Sequence, residues 1–204
     1  MIHRNLLMLL TILFLLVYLQ ILHAGPSTII FTEVFYDNPG DDSKEEWFEL
    51  YNATNNTIDI SDYTIHDNST SYFTIPTGSM IFAGAVLVFA KDNDGFHTLY
   101  GFYPDFENIP FGLNNSGGDF LTLKNPIGEL VDIVAWENEI PGWNIEATTG
   151  QTLQRISFGQ AVNNWKVQTI PDPGNSAPIP EPSSVILLSF GLSLFFLKRY
   201  LMKK

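Results

Sequence analysis

The sequence predicts an all-β protein, folded as a two-sheet antiparallel sandwich. Three observations carry the prediction. Between residues 27 and 168 the apolar residues fall in short runs rich in Ile, Val, Phe, Tyr and Thr. Clusters of Asn, Gly, Pro and Asp separate these runs, and no window carries a convincing helical period. Many short strands at such spacing favour a sandwich over alternating strand and helix units.

In chain order the expected strands are 28–35 (TIIFTEVF), 47–51 (WFELY), 57–60, 63–66, 72–75, 85–90 (AVLVFA), 120–124 (FLTLK), 130–136 (LVDIVAW) and 152–156 (TLQRI). Turn signals stand between most of them: Asp37-Asn38-Pro39-Gly40, residues 52–56, Pro76-Thr77-Gly78, residues 114–118 and Asn125-Pro126-Ile127-Gly128. Alternation then selects the core. In 120–124 one face carries Phe120, Thr122 and Lys124 and the other Leu121 and Leu123; burying a lysine is costly, so the leucines point inward. Phe48 and Leu50 share a face by the same logic, with Glu49 opposite. The four residues 125–128 are short enough to close a hairpin between 120–124 and 130–136.

Composition narrows the function. The chain of 204 residues has no cysteine, which excludes disulfides, thiolate metal sites and a cysteine nucleophile. Net charge is −12, and five of the ten basic residues (Arg4, Lys198, Arg199, Lys203, Lys204) lie at the termini. Residues 25–182 therefore set Lys44, Lys91, Lys124, Arg155 and Lys166 against all 22 carboxylates. A surface this acidic repels phosphate backbones, so no nucleic-acid partner is expected; basic partners, divalent cations or plain solubility fit better.

The two ends address the body. His3 and Arg4 precede an apolar stretch, 6–22, interrupted by polar Thr11 and Gln20, and Ala24 stands before Gly25-Pro26. Residues 1–24 read as a secretory signal peptide, with an uncleaved membrane anchor as the alternative. At the other end Pro180-Glu181-Pro182 leads into thirteen uncharged residues, 185–197, followed by Lys198, Arg199, Lys203 and Lys204. Thirteen residues at ~1.5 Å each give about 20 Å, short of a ~30 Å hydrocarbon core, so the basic side chains must snorkel on the cytoplasmic side of a transmembrane helix. The order of these parts in 177–204 resembles the PEP-CTERM sorting signal of exopolysaccharide-producing Gram-negative bacteria. That resemblance implies an exosortase-type membrane transpeptidase as partner and processing near Pro180, Glu181 and Pro182. An ordinary single-span anchor is the alternative.

The body, 27–176, resembles the lamin tail domain. The matching blocks are Thr32-Glu33-Val34 with Tyr36 and Asn38-Pro39; Glu46-Trp47-Phe48-Glu49-Leu50-Tyr51-Asn52; residues 58–65; Ile75-Pro76 with Gly78; residues 86–90, 113–119 and 121–124; Val131-Asp132; residues 150–156; Asn164-Trp165; and Pro171-Asp172-Pro173-Gly174-Asn175. The resemblance implies an immunoglobulin-like sandwich. Tyr63 departs from the family, which often has Trp there, and 94–108 is an additional aromatic segment. Nuclear roles do not transfer to an exported chain.

Candidate chemistry is sparse. His66 and His97 fall in separate segments without a hydrolase motif. Asp92-Asn93-Asp94-Gly95 begins like a calcium loop, but the twelfth position is Tyr103 rather than a bidentate Glu. Asp92 and Asp94 are accordingly the metal candidates, with Ca²⁺ the one cofactor considered. Asp37, Asp41, Asp42 and Glu45 form a second acidic cluster. Glu33, Glu46 and Glu49 read as outward-facing strand residues rather than a paired-carboxylate site. Phe96, Tyr100, Phe102, Tyr103, Phe106, Trp136 and Trp143 could stack on sugar rings, and the run 96–106 is the expected partner site. The sequence thus points to a non-enzymatic, exported module of a Gram-negative envelope, membrane-anchored before processing and then at the surface or in the matrix. Its expected partner is a surface polysaccharide or protein, in connection with exopolysaccharide or biofilm. A Ca²⁺-dependent adhesion module and an envelope-polymer hydrolase are the alternatives.

Overall fold

A computed structural model describes residues 29–175. The signal segment 1–24 and the tail with Pro180, Glu181, Pro182, Lys198 and Arg199 lie outside the described residues. Among those described, no helix is long and apolar enough to cross a membrane.

The described residues form eleven strands: β1 (Ile29–Phe35), β2 (Trp47–Asn52), β3 (Ile58–Asp59), β4 (Thr64–His66), β5 (Tyr72–Thr74), β6 (Met80–Ile81), β7 (Val86–Ala90), β8 (Asp119–Lys124), β9 (Leu130–Trp136), β10 (Thr152–Arg155) and β11 (Trp165–Gln168). One sheet has the order β11-β10-β1-β2-β7, a second β5-β4-β8-β9, and β3 pairs with β6. All these pairings are antiparallel. Each of the nine expected strands overlaps an observed one, with β2 and β8 extending one residue beyond the expected bounds; β6 and β11, too short to show an apolar pattern, were not expected. Two helices were also not expected: α1 (Asp42–Glu45) and α2 (Asn93–Tyr100).

Between the sheets lies the core. Phe31, Val34, Phe48, Leu50 and Phe89 from the five-stranded sheet face Ile65, Leu121, Leu123 and Val134 from the four-stranded one, all essentially inaccessible. Leu121 and Leu123 point inward, as alternation required, and the predicted hairpin pairs Leu121 with Val134 and Leu123 with Asp132. Phe48 lies between Phe89 and Phe111, both stacked on it, with centroids 5.2 and 6.5 Å away. A charged clasp between the sheets is made by Asp132 on β9 and Arg155 on β10, both buried, with Nη2 to Oδ2 2.6 Å.

The outer face of the five-stranded sheet is also buried. Phe35, Trp47, Val88 and Ala90 form a second cluster there with Phe96 of α2. That layer overturns one expectation. Glu33 and Glu49 point away from the main core but do not reach solvent, both being 0 % exposed, and Glu46, beside Leu113 at the margin of that core, is 5 % exposed.

Candidate functional site

Helix α2 is specified by its ends. The Asp92 carboxylate accepts from the Gly95 backbone N–H at 2.7 Å, and Gly101 closes the helix in the left-handed conformation, φ 78°, donating to the His97 carbonyl. Phe96 and Tyr100, four apart, face the sheet. Both meet Trp47 edge-on, with centroids 6.1 and 5.8 Å away, and the Trp47 indole N–H donates to the Tyr100 hydroxyl at 3.0 Å. Burial pushes the Tyr100 phenol up to about 12.

The opposite side of this segment is a ring-bearing surface. His97 stacks on Tyr103 with centroids 4.3 Å apart and planes inclined by 21°. Tyr103 is 58 % exposed and Phe102 41 %, with Leu99 exposed beside them. The other expected sugar-stacking residues are packing residues. Phe96, Trp136 and Trp143 are buried; Phe106 bridges to Phe89 along the edge of β7 and stacks on it at 4.6 Å. Of the run 96–106, the structure thus leaves His97, Leu99, Phe102 and Tyr103 available to a partner. His66, by contrast, lies in β4, where its ring stacks on Tyr72 and shares a 3.0 Å hydrogen bond with the Thr64 hydroxyl; burial lowers its pKa.

Asp92 and Asp94 line an open cleft between α1 and α2 together with Asp41, Lys44 and Glu45. Asp92 is engaged as a helix cap. Asp41 caps α1, accepting from the Ser43 hydroxyl and N–H, which hold its carboxyl below the usual range. Among the described residues no group of three or more His, Asp or Glu side chains is arranged to hold a metal ion.

The sequence did not reveal the buried carboxyl site on the outer face of the five-stranded sheet. β1 and β2 pair Phe31 with Leu50 and Val34 with Phe48, so Thr32 and Glu33 together oppose Glu49. This bulge directs two consecutive side chains toward one region. The Thr32 hydroxyl donates to Glu49 Oε2 at 3.0 Å, and the Thr152 hydroxyl to Glu33 Oε1 at 2.6 Å. Segment 171–174 closes over both: Gly174 N–H donates to Glu49 Oε1 at 2.5 Å and Asp172 N–H to Glu33 Oε1 at 3.5 Å. Burial pushes Glu33 up to about 9, against the lowering effect of Thr152 and aided by the negative charges of Glu49 and Asp172. Glu46, whose Oε2 accepts from Leu113 N–H at 3.0 Å, is pushed by burial up to about 8.

An antiparallel sandwich with its carboxyl groups sealed inside and its exposed rings outside is an immunoglobulin-like module, of a class typically structural or binding in role. The chain belongs to the lamin tail domain family, whose model matches residues 23–138. No curated protein matches it.

Proposed function

We propose that the chain is an exported, non-enzymatic surface module that binds a neutral polysaccharide or a protein, and that its tail is a PEP-CTERM signal read by an exosortase-type transpeptidase. One observation carries the binding role: Phe102 and Tyr103 leave their rings exposed side by side, with half-buried His97 stacked on Tyr103, on a domain whose other large aromatic residues, Tyr72 and Phe82 apart, are mostly packed away. Ring faces suit the CH faces of sugars. The excess of carboxylates disfavours polyanions, so neutral polymer is the favoured class. Sorting rests on Pro180-Glu181-Pro182, the apolar segment and Lys198-Arg199, which would hold the chain in the membrane before its release to the surface or to an exopolysaccharide matrix.

Affinity electrophoresis in gels containing neutral or acidic polysaccharide, with pull-down against envelope proteins, tests the binding role. Replacing Phe102 and Tyr103 together by Ala should weaken binding at least about tenfold, the loss of a ring anchor, while circular dichroism shows the domain still folded at the assay temperature. Undiminished binding refutes the assignment. Mass spectrometry of the mature protein from its host tests sorting: a C-terminus near Pro182 supports it and an intact Lys204 opposes it.

A second reading, Ca²⁺-dependent adhesion, draws on the acidic cleft between α1 and α2. It requires Ca²⁺ to raise the melting temperature and Asp92→Asn with Asp94→Asn to abolish that shift.

A further inference from the structure

Two turns hold large apolar side chains in solvent at one end of the sandwich. At the tip of the β8–β9 hairpin, Asn125 Oδ1 accepts from the Ile127 N–H at 3.2 Å and the Glu129 N–H at 2.9 Å, and the Gly128 N–H donates to the Asn125 carbonyl at 2.9 Å. Its own polar groups thus build the tip, and they leave Ile127 79 % exposed, with Leu130 at 50 %. The second turn, 82–85, is closed by the Ala85 N–H to the Phe82 carbonyl at 3.0 Å and leaves Phe82 68 % exposed. Turn positions ordinarily carry Gly, Pro, Asn, Asp or Ser, so two bulky apolar residues there need another explanation than the turn itself.

An open groove joins the two turns. Leu130 and Val131 line it together with Ile29, Ile58 and Tyr63. Ile58 pairs with Ile81, the neighbour of Phe82. The Gly84 N–H donates to the Asn52 carbonyl at 3.0 Å, and Asn52 pairs with Ile29. Phe82 and Ile127 therefore border one largely apolar surface, at the end of the sandwich where β1 begins. The other end of β1, about 20 Å away, pairs Phe35 with Trp47, on which α2 is seated.

We infer that this end of the sandwich seats on the surface of a zwitterionic bilayer, with Phe82, Ile127 and Leu130 entering the interface and the α2 end held away from it. The inference rests on the reading that a terminal apolar segment holds the chain in the membrane, and chain length then selects lipid as the occupant. Residues 23–28 join the apolar stretch 6–22 to Ile29, at this same end, and six residues span at most about 22 Å. At the other terminus, 176–184 join Asn175 to the apolar segment 185–197, and nine residues span at most about 32 Å. Asn175 follows Gly174, which is bonded to Glu49 in the middle of β2, about 10 Å from this end. Either tether keeps the groove within reach of the bilayer, where contact removes apolar area from water and binding grows with the area buried. The charged groups beside the groove include Asp59, Lys124 and Glu129, on a chain of net charge −12, which disfavours an anionic lipid surface. Docked in this way, the domain turns α2 away from the membrane.

The test reconstitutes the full chain in phosphatidylcholine vesicles. With no native cysteine, a single nitroxide is introduced through Phe82→Cys, Ile127→Cys or Thr98→Cys, the last exposed on α2 at the far end. Flotation on a density gradient reports whether the chain is held by the membrane, and near-UV circular dichroism reports an intact core. Power-saturation electron paramagnetic resonance then compares collisions with oxygen, which concentrates in lipid, and with a nickel chelate, which stays in water. At 82 and 127 oxygen access should rise and nickel access fall relative to 98. Water-like values at either site in chains that float overturn the docking and leave the membrane-held reading standing. Chains that fail to float overturn both. Spin–spin broadening at 82 or 127 marks a second copy over the groove in place of lipid, and also overturns the docking.

Discussion

Replacing Arg155 by Met should destabilise the domain by an amount that depends on pH. Arg155 donates from Nη2 to Asp132 Oδ2 at 2.6 Å, from Nε to the Phe31 carbonyl at 2.6 Å and from Nη1 to the Gly159 carbonyl, and its guanidinium lies 4.7 Å from the Trp165 ring centroid. Both charged side chains are essentially inaccessible, at 0 and 1 % exposure. Methionine fills the volume of the stem but leaves Asp132 with backbone donors such as Phe31 N–H at 2.8 Å. Removing one partner of a buried pair costs about 3–5 kcal/mol.

Burial already outweighs the attraction of Arg155 and pushes Asp132 up to about 6, against an ordinary 3.8. A raised folded pKa means stability is present at acid pH and declines as pH rises from 3.8 through 6. Without the guanidinium the decline continues to higher pH, so the gap between variant and wild type widens by up to about 1.4 kcal/mol per unit above 6. Urea unfolding followed by tryptophan fluorescence at pH 5, 6, 7 and 8 measures it. With a slope of about 1–3 kcal/mol/M, the midpoint should fall by about 2 M at pH 8 and by much less at pH 5. Adding Asp132→Asn should restore most of the loss. An equal loss at pH 5 and 8, or no recovery in the double variant, refutes the reasoning.

Phe96→Ala removes the ring that seats α2 on Trp47 and should cost about 3–5 kcal/mol by urea unfolding, with protease cleavage first appearing near 93–106. Glu46→Gln keeps the acceptor for Leu113 N–H but removes a carboxyl whose proton is held to about pH 8; it should stabilise the domain increasingly from pH 4.5 to 8, measured as a melting temperature that falls less with pH than in the wild type. Gly101→Ala meets no atom within 4 Å, so its cost should be only that of positive φ, about 1 kcal/mol in the same assay. Ending the chain at residue 138 removes β10, β11 and Arg155 from the five-stranded sheet, and the product should show no cooperative thermal transition by circular dichroism.

What the sequence disclosed follows from what alternation encodes. Leu121 and Leu123 were legible because the other choice buries Lys124, and the β8–β9 hairpin because four turn residues separate two strong apolar runs. Alternation says which side chains share a face, but it is silent on whether that face meets water. Glu33 and Glu49 were assigned the correct side and the wrong environment, since their cover, 171–174, lies more than a hundred residues away in the chain. In Asp92-Asn93-Asp94-Gly95 the same oxygens that suggest an ion loop also suggest a helix cap. Gly101 and the four-residue spacing of Phe96 and Tyr100 favour the cap, but eight residues are too few for a periodic signal. The Asp132–Arg155 clasp joins strands of different sheets and was not visible as a pattern.

The two outer faces of the sandwich have unequal cover. On the four-stranded sheet the outer face leaves Tyr72 and Thr74 exposed, as in a plain two-layer sandwich. On the five-stranded sheet the outer face buries Phe35, Trp47, Val88, Glu33 and Glu49, under α2 toward one part and under segment 171–174 toward another. A third layer placed only to exclude water would carry apolar side chains throughout. This one instead covers carboxyl groups on one side and turns the rings of Phe102 and Tyr103 outward on the other, with the Phe102 ring edge-on to Phe96 at 5.2 Å. The tail segment belongs to the same surface: a Cβ on Gly174 would lie 3.8 Å from the Phe102 ring. The cover of the buried carboxyls and the exposed rings therefore adjoin at Phe102, within one continuous layer.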